Sequence, residues 1–177
     1  MIRSGFGKTV ASRLMIGVLA LLIPATAGCE AGLNAPTLEF HPASSGAQTM
    51  VNGLKITNVF VLGAPRGATL PAGSSAGVFL SLYNSGSTDD SLMSVAAPGW
   101  AKSVTLAGGT VALPVNAPVN LTGPQPEVVL SGLSKPLNGG EDIPLTLTFQ
   151  HAGSVHLDVP VQAQAFFYST YSPPPTP

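Results

Sequence analysis

The sequence predicts an all-β domain, a sandwich of about nine short strands with Greek-key connections. Three observations predict it. Apolar residues recur with a period of two along most of the chain. Clusters of Gly, Pro, Asn and Asp break those runs at short intervals, as turns require. Beyond the first 28 residues no segment carries a sustained 3.6-residue apolar period, so no helix is expected there.

The N-terminal segment stands apart from that domain. A basic start (Arg3, Lys8, Arg13) precedes an apolar run from Leu14 to Ile23, followed by Pro24-Ala25-Thr26-Ala27-Gly28-Cys29. This order is that of a secretory signal with small residues ahead of the cleavage point. The one cysteine of the chain directly follows Ala27-Gly28, an arrangement similar to a bacterial lipobox. Cys29 is therefore predicted to receive a diacylglyceryl group and to become the mature N-terminus. The competing reading is an ordinary secreted protein with a chance cysteine. The apolar run is about half the ~20 residues a membrane span needs, so a permanent span is not expected. Residues 30–49 mix Ala, Ser, Pro and Gly without a period and read as a flexible spacer. The predicted organisation is a signal over 1–28, lipidated Cys29 with its spacer over 29–49, a folded domain over 50–163 and a Pro-rich tail over 164–177.

Within the domain the clearest element is a hairpin. Leu145, Leu147 and Phe149 alternate with Thr146, Thr148 and Gln150; after His151-Ala152-Gly153 the alternation resumes through Val155, Leu157, Val159 and Val161. Apolar residues on one face and polar ones on the other describe two half-buried strands. Further strands are expected at 54–62, 77–84, 91–96, 102–106, 110–113, 119–121 and 127–130. Asn84-Ser85-Gly86, Pro98-Gly99, Gly108-Gly109, Gly123-Pro124 and Asn138-Gly139-Gly140 separate them. The tail ends Ser172-Pro173-Pro174-Pro175-Thr176-Pro177, whose prolines cannot donate to a ladder, so its end is expected to be extended and solvated. Phe166, Phe167, Tyr168 and Tyr171 just before it have two readings: they pack back on the domain, or they form a sticky terminal segment.

Composition narrows function. Three of the seven basic residues lie in the signal, which leaves Lys55, Arg66, Lys102 and Lys135 against eight acidic residues. With so few cations and no basic patch, nucleic acid is excluded as a partner. With its single thiol acylated, the domain has no disulfide and must rely on its core. No Gly-x-Ser-x-Gly elbow is present, and His41, His151 and His156 lack a partner arrangement for nucleophilic catalysis, so no enzyme is predicted. Asp89-Asp90 and Glu141-Asp142 fall in predicted turns, where adjacent carboxylates are ordinarily solvated. Gly108-Gly109 and Gly139-Gly140 lack the following helix that phosphate binding uses. The sequon Asn120-Leu121-Thr122 carries little weight beside a bacterial lipobox. Met93, within Leu92-Met93-Ser94-Val95, reads as a packing residue rather than a ligand. His151 at the hairpin tip and His156 on its outer face are the one imidazole pair that a metal could bridge.

From Leu54 to Val161 the chain resembles the PCu(A)C family of extracytoplasmic copper chaperones. The resemblance rests on Leu130-Ser131-Gly132-Leu133-Ser134-Lys135-Pro136-Leu137, Gly140, Ile143-Pro144-Leu145-Thr146-Leu147-Thr148-Phe149 and Ala152-Gly153-x-Val155-x-Leu157-x-Val159-Pro160-Val161. A second block, Leu80-Ser81-Leu82-Tyr83-Asn84-Ser85-Gly86 with Asp89-Asp90-Ser91-Leu92, is similar to that family's Asn-x-Gly…Asp-Asp-x-Leu segment. The resemblance implies a cupredoxin-like, immunoglobulin-like β-sandwich. It also implies a Cu(I) site made of a histidine at a strand end, methionines on the next hairpin and a later His-x-Met. Counted back from Leu130, the His-x-Met falls on Glu127-Val128-Val129, and the first histidine falls near Ala107. Cu(I) favours thioether and imidazole; Glu127 offers a hard oxygen, and Ala107 and Val129 offer nothing. This pattern is similar to the ligand-poor LpqE-like lipoproteins of actinobacteria. The expectation is a lipid-anchored extracytoplasmic binding protein with an envelope protein as partner and no cofactor. The alternative is a copper chaperone that holds Cu(I) at a relocated site, His151 with His156, and delivers it to an envelope metalloprotein such as a terminal oxidase.

Overall fold

The structure, a computed structural model, describes residues 46–174; the signal, Cys29, His41, the spacer up to residue 45 and the last three residues lie outside the described residues. Twelve strands are described: β1 (Ala47–Val51), β2 (Leu54–Leu62), β3 (Thr69–Leu70), β4 (Ala76–Asn84), β5 (Asp90–Ala96), β6 (Ala101–Leu106), β7 (Val111–Leu113), β8 (Pro118–Leu121), β9 (Val128–Leu133), β10 (Leu137–Asn138), β11 (Asp142–Phe149) and β12 (Ser154–Gln162). The only helical turn among the described residues is a 3-10 turn at Phe166–Tyr168. The fold is the all-β sandwich that the alternation predicted, of the cupredoxin-like kind that the resemblance implied.

Two antiparallel layers share one continuous sheet in the order β6-β9-β4-β2-β12-β11-β5-β7. β4 accepts β9 along Ala76–Val78 and β8 along Leu80–Tyr83, so one strand edge serves two partners. β2 does the same on its far edge: β1 pairs with it from Leu54 to Val59, and the end of β12 pairs in parallel at Val61 and Leu62. That short parallel junction joins the two layers into one sheet, whose path ends at β6 on one side and β7 on the other.

The predicted hairpin is β11–β12, paired from Asp142↔Pro160 to Thr148↔Ser154. Ile143, Leu145, Leu147, Phe149, Leu157, Val159 and Val161 are buried, with Thr146 and Thr148 on the opposite face. Gly153 turns the chain at φ 85, a conformation open to glycine without a Cβ penalty. These side chains meet Leu54, Ile56, Val78, Leu80, Leu82, Val128 and Leu130 from the other layer in one core. Each such side chain contributes roughly 1.5–3 kcal/mol when fully buried.

Three expectations need correction. The spacer does not reach Thr49, because Ala47–Val51 forms a strand on β2. Its half-exposed burial pattern explains the miss: Gln48 and Met50 face solvent. Gly132, outside the strand expected at 127–130, lies inside β9 at φ 64, where a Cβ would stand 3.1 Å from the Lys102 side chain. The domain does not end at residue 163. Gln164 donates its backbone N–H to the Ala64 carbonyl, and Ser172 donates to Pro124.

That returning segment explains why Val59 to Ala64 and Ala76 to Leu80 are buried on consecutive residues rather than alternate ones. One face of β2 and β4 meets the main core; the other, at Phe60, Leu62 and Phe79, is covered by Tyr168 and Tyr171. Tyr171 approaches Phe79 edge-on at 4.7 Å and Phe60 at 5.4 Å, while Tyr168 meets Phe60 at 4.9 Å. The reading in which the aromatic segment packs back on the domain therefore holds for the tyrosines and not for the phenylalanines, with Phe166 and Phe167 76% and 91% exposed.

Candidate functional site

The positions to which the resemblance assigns copper ligands lie together at one end of the β6–β9 pair. The antiparallel register sets Thr105 opposite Val129 and Leu106 opposite Val128. One residue further, the Ala107 N–H donates to the Glu127 carbonyl at 2.7 Å. Residues two apart on a strand share a face, so Ala107 follows Thr105 and Glu127 precedes Val129 on the outer side of this ladder. Ala107 and Glu127 are exposed and Val129 is half-buried. The chain then turns at once through Gly108 and Gly109, at φ 77 and 85, with the Gly109 N–H bonded to the Leu106 carbonyl. This tight Gly-Gly turn carries no side chain over the site. Behind Val129, Gly77 of β4 lies so close to Pro126 that a Cβ would stand 2.7 Å from the proline ring.

The two hairpin histidines engage different strands. His156 projects from β12, where its Nδ1 lies 2.9 Å from the Thr146 hydroxyl on β11. His151 turns toward β5: its backbone N–H donates to Asp90 at 2.9 Å and its ring Nδ1 lies 3.7 Å from the same carboxylate. No contact joins the two imidazoles among those described. Met93, expected to pack, is instead 43% exposed at an irregularity where β5 meets β11, and Met50 is 64% exposed on β1. Among the described residues no group of three or more His, Cys, Asp or Glu side chains comes together to hold a metal.

Asp90 is the polar residue that sequence reasoning misplaced. It was expected in a solvated turn; it is the first residue of β5 and 7% exposed. Burial raises the cost of its charge, yet N–H groups of His151, Ser91 and Ala152, with the His151 ring nearby, more than offset that cost. The carboxyl is held below its ordinary value near 3.8. The same corner uses Asn84, whose Nδ2 donates to the Thr88 and Leu113 carbonyls and whose Oδ1 accepts from Gly86. Asn52 donates across to Ala152. These side chains line a cavity of about 310 Å³, but their polar atoms are spent on backbone groups. The corner is a clamp that fixes the β4–β5 and β11–β12 turns to each other. Asn84, Ser85, Gly86, Asp89 and Asp90 thus belong to structure, and Glu141 likewise accepts from Asn138 in its turn, which holds its carboxyl below the ordinary range.

A family model described as lipoprotein LpqE-like matches residues 54–161, from β2 to the end of β12. The chain belongs to the LpqE-like family. Solved structures agree. The apo PCuAC domain from PmoF1 is 24% identical, with a TM-score of 0.58, over 66% of this chain and 99% of that one. The copper-bound PCuAC domain from PmoF2 is 25% identical, with a TM-score of 0.55, over 66% of this chain and 98% of that one. The apo form of the PmoF2 domain gives 23% identity and a TM-score of 0.57. No curated protein sequence matches. The LpqE-like domain therefore shares the PCuAC fold over nearly the whole of its described sandwich, and the resemblance drawn from the sequence blocks was to the right family.

Proposed function

We propose that this LpqE-like chain is a lipid-anchored, extracytoplasmic binding protein that does no catalysis and takes no Cu(I) at the position its scaffold relatives use. The observation that carries this reading is the donor set at the β6–β9 end. Ala107, Glu127 and Val129 come together as the resemblance requires, yet they supply one carboxylate and two hydrocarbon groups. Cuprous ion is soft and favours sulfur and imidazole, so these residues do not fit it. A PCuAC domain of the same fold is copper-bound; here that end of the scaffold presents Ala107, Glu127 and Val129 beside a bare Gly-Gly turn. Recognition then falls to loops and strand edges, and an envelope protein is the partner class that such a surface serves.

The anchor rests on the lipobox-like run ending at Cys29. Two acyl chains give stable attachment where one gives only marginal binding, and diacylation supplies two. No helix among the described residues is long and apolar enough to cross a membrane. Two experiments test the reading. Cys29→Ala moves the protein from the membrane fraction to the soluble one; retention in the membrane contradicts the anchor. Titration of the purified metal-free chain with Cu(I) against a competing chelator shows no stoichiometric uptake. Tight binding of one equivalent, lost in a His151→Ala/His156→Ala variant, establishes the relocated copper site instead.

A further inference from the structure

Phe166 and Phe167 stand out of the domain as its two most exposed large apolar side chains among the described residues. They are held there rather than left loose. On one side Gln164 is bonded to Ala64, and on the other Tyr168 and Tyr171 are seated on Phe60 and Phe79. Gln164 also reaches across the turn, donating its Nε2 to the Tyr171 carbonyl. Phe166 itself adopts φ 52, a left-handed conformation that is unfavourable for a bulky residue. A segment that only needed to bury its rings would relax and tuck them in; this one spends backbone strain to point them outward.

We propose that this turn is a membrane-contacting foot: Phe166 and Phe167 enter the interface of the bilayer that holds the Cys29 lipid, and Arg66 meets its anionic headgroups. The proposal rests on the lipid-anchor reading. Arg66, exposed on the loop after β2, places its guanidinium 5.9 Å from the centre of the Phe166 ring. A cation beside outward apolar rings is the pairing that interfacial segments use on anionic membranes. Arg66 also borders an open cavity of about 490 Å³ lined by Thr69, Asn138, Gly139 and Gln162, which gives a headgroup a polar wall.

Topology points the same way. β1 is antiparallel to β2, with Val51 opposite Leu54 and Ala47 opposite Val59. Followed backward, β1 therefore travels toward the Leu62 end of β2, where Ala64, Arg66 and Gln164 lie. Gly46, the first described residue, lies beside Asn58 and Val59 on that side of β2. Residues 29–45 span at most about 60 Å fully extended, so on the lipid-anchor reading the bilayer stays within reach of the domain. Under such tethering even a weak patch is occupied, because the local concentration of membrane is high.

The test uses the mature chain from residue 29 with Cys29→Ala, so that no lipid contributes. Its partition is measured by co-sedimentation with vesicles of phosphatidylcholine, with and without phosphatidylglycerol. The expected result is measurable binding that rises with phosphatidylglycerol and falls at least tenfold in Phe166→Ala/Phe167→Ala, whose thermal unfolding stays that of the parent. Arg66→Gln should lower binding on the anionic vesicles alone. A Phe167→Trp reporter should shift its emission to the blue and be quenched by brominated acyl chains. The proposal is overturned if the parent does not bind, if the double alanine variant binds equally, or if sedimentation velocity shows a dimer that this variant converts to monomer. Because every protein in the assay lacks Cys29, these outcomes are independent of whether the native chain is acylated, which membrane fractionation reads separately.

Discussion

Replacing Tyr171 with Ala tests whether the C-terminal segment is part of the domain. Tyr171 makes edge-to-face contacts with both Phe60 and Phe79, and its backbone carbonyl accepts from the Gln164 side chain. Each aromatic pair contributes about 0.5–1.5 kcal/mol beyond burial, and the lost ring exposes apolar surface on Phe79, itself fully buried. Allowing for partial exposure of the tyrosine, the loss should be about 2–4 kcal/mol. For a domain of this size each kcal/mol moves Tm by roughly 4 °C, so Tyr171→Ala should melt about 8–16 °C lower. Tyr171→Phe keeps both ring contacts and should stay within about 0.5 kcal/mol of the parent. Urea unfolding followed by circular dichroism gives both values. A Tyr171→Ala variant as stable as the parent would refute the docked segment and return residues 163–174 to the status of a tail.

Two more predictions concern the clamp and the sheet. Asp90→Asn should lose about 2 kcal/mol at neutral pH, because a charge-assisted acceptor of three backbone N–H groups becomes a neutral one. In the parent, the Asp90 carboxyl sits below its ordinary value near 3.8. Its contribution is complete above that pH and lost as pH falls through the lower folded-state value. Denaturation midpoints measured from pH 6 to pH 2 should therefore show a smaller acid loss in Asp90→Asn; equal slopes would contradict the clamp. Gly77→Ala places a Cβ 2.7 Å from Pro126, and thermal melts should show a loss of about 1–3 kcal/mol from overpacking.

How far the sequence reveals this protein depends on where each signal resides. The β11–β12 hairpin was legible because alternate residues face one core and Gly153 takes the turn. β2 was legible from its apolar run, but the reason for that run was not, since the covering rings of Tyr168 and Tyr171 come from more than a hundred residues downstream. β1 escaped because an edge strand with Gln48 and Met50 outward has little apolar period to read. β3 and β10 are two residues each, too short for any pattern. Asp90 looked like a turn residue because its partners, His151 and Ala152, are distant in sequence and close only in the fold. The candidate site was reached through resemblance: nothing in the local pattern of Ala107, Glu127 or Val129 marks them, and only the strand register brings them side by side.

On the proposed reading the scaffold persists without its soft donors. The measurement that tests it most directly is a chelator-competed Cu(I) titration of the parent beside an Ala107→His/Glu127→His/Val129→Met variant. The parent should show no stoichiometric uptake and the triple variant should bind one equivalent, because the β6–β9 register already aligns the three positions. One equivalent held tightly by the parent, with no change in the triple variant, would contradict it.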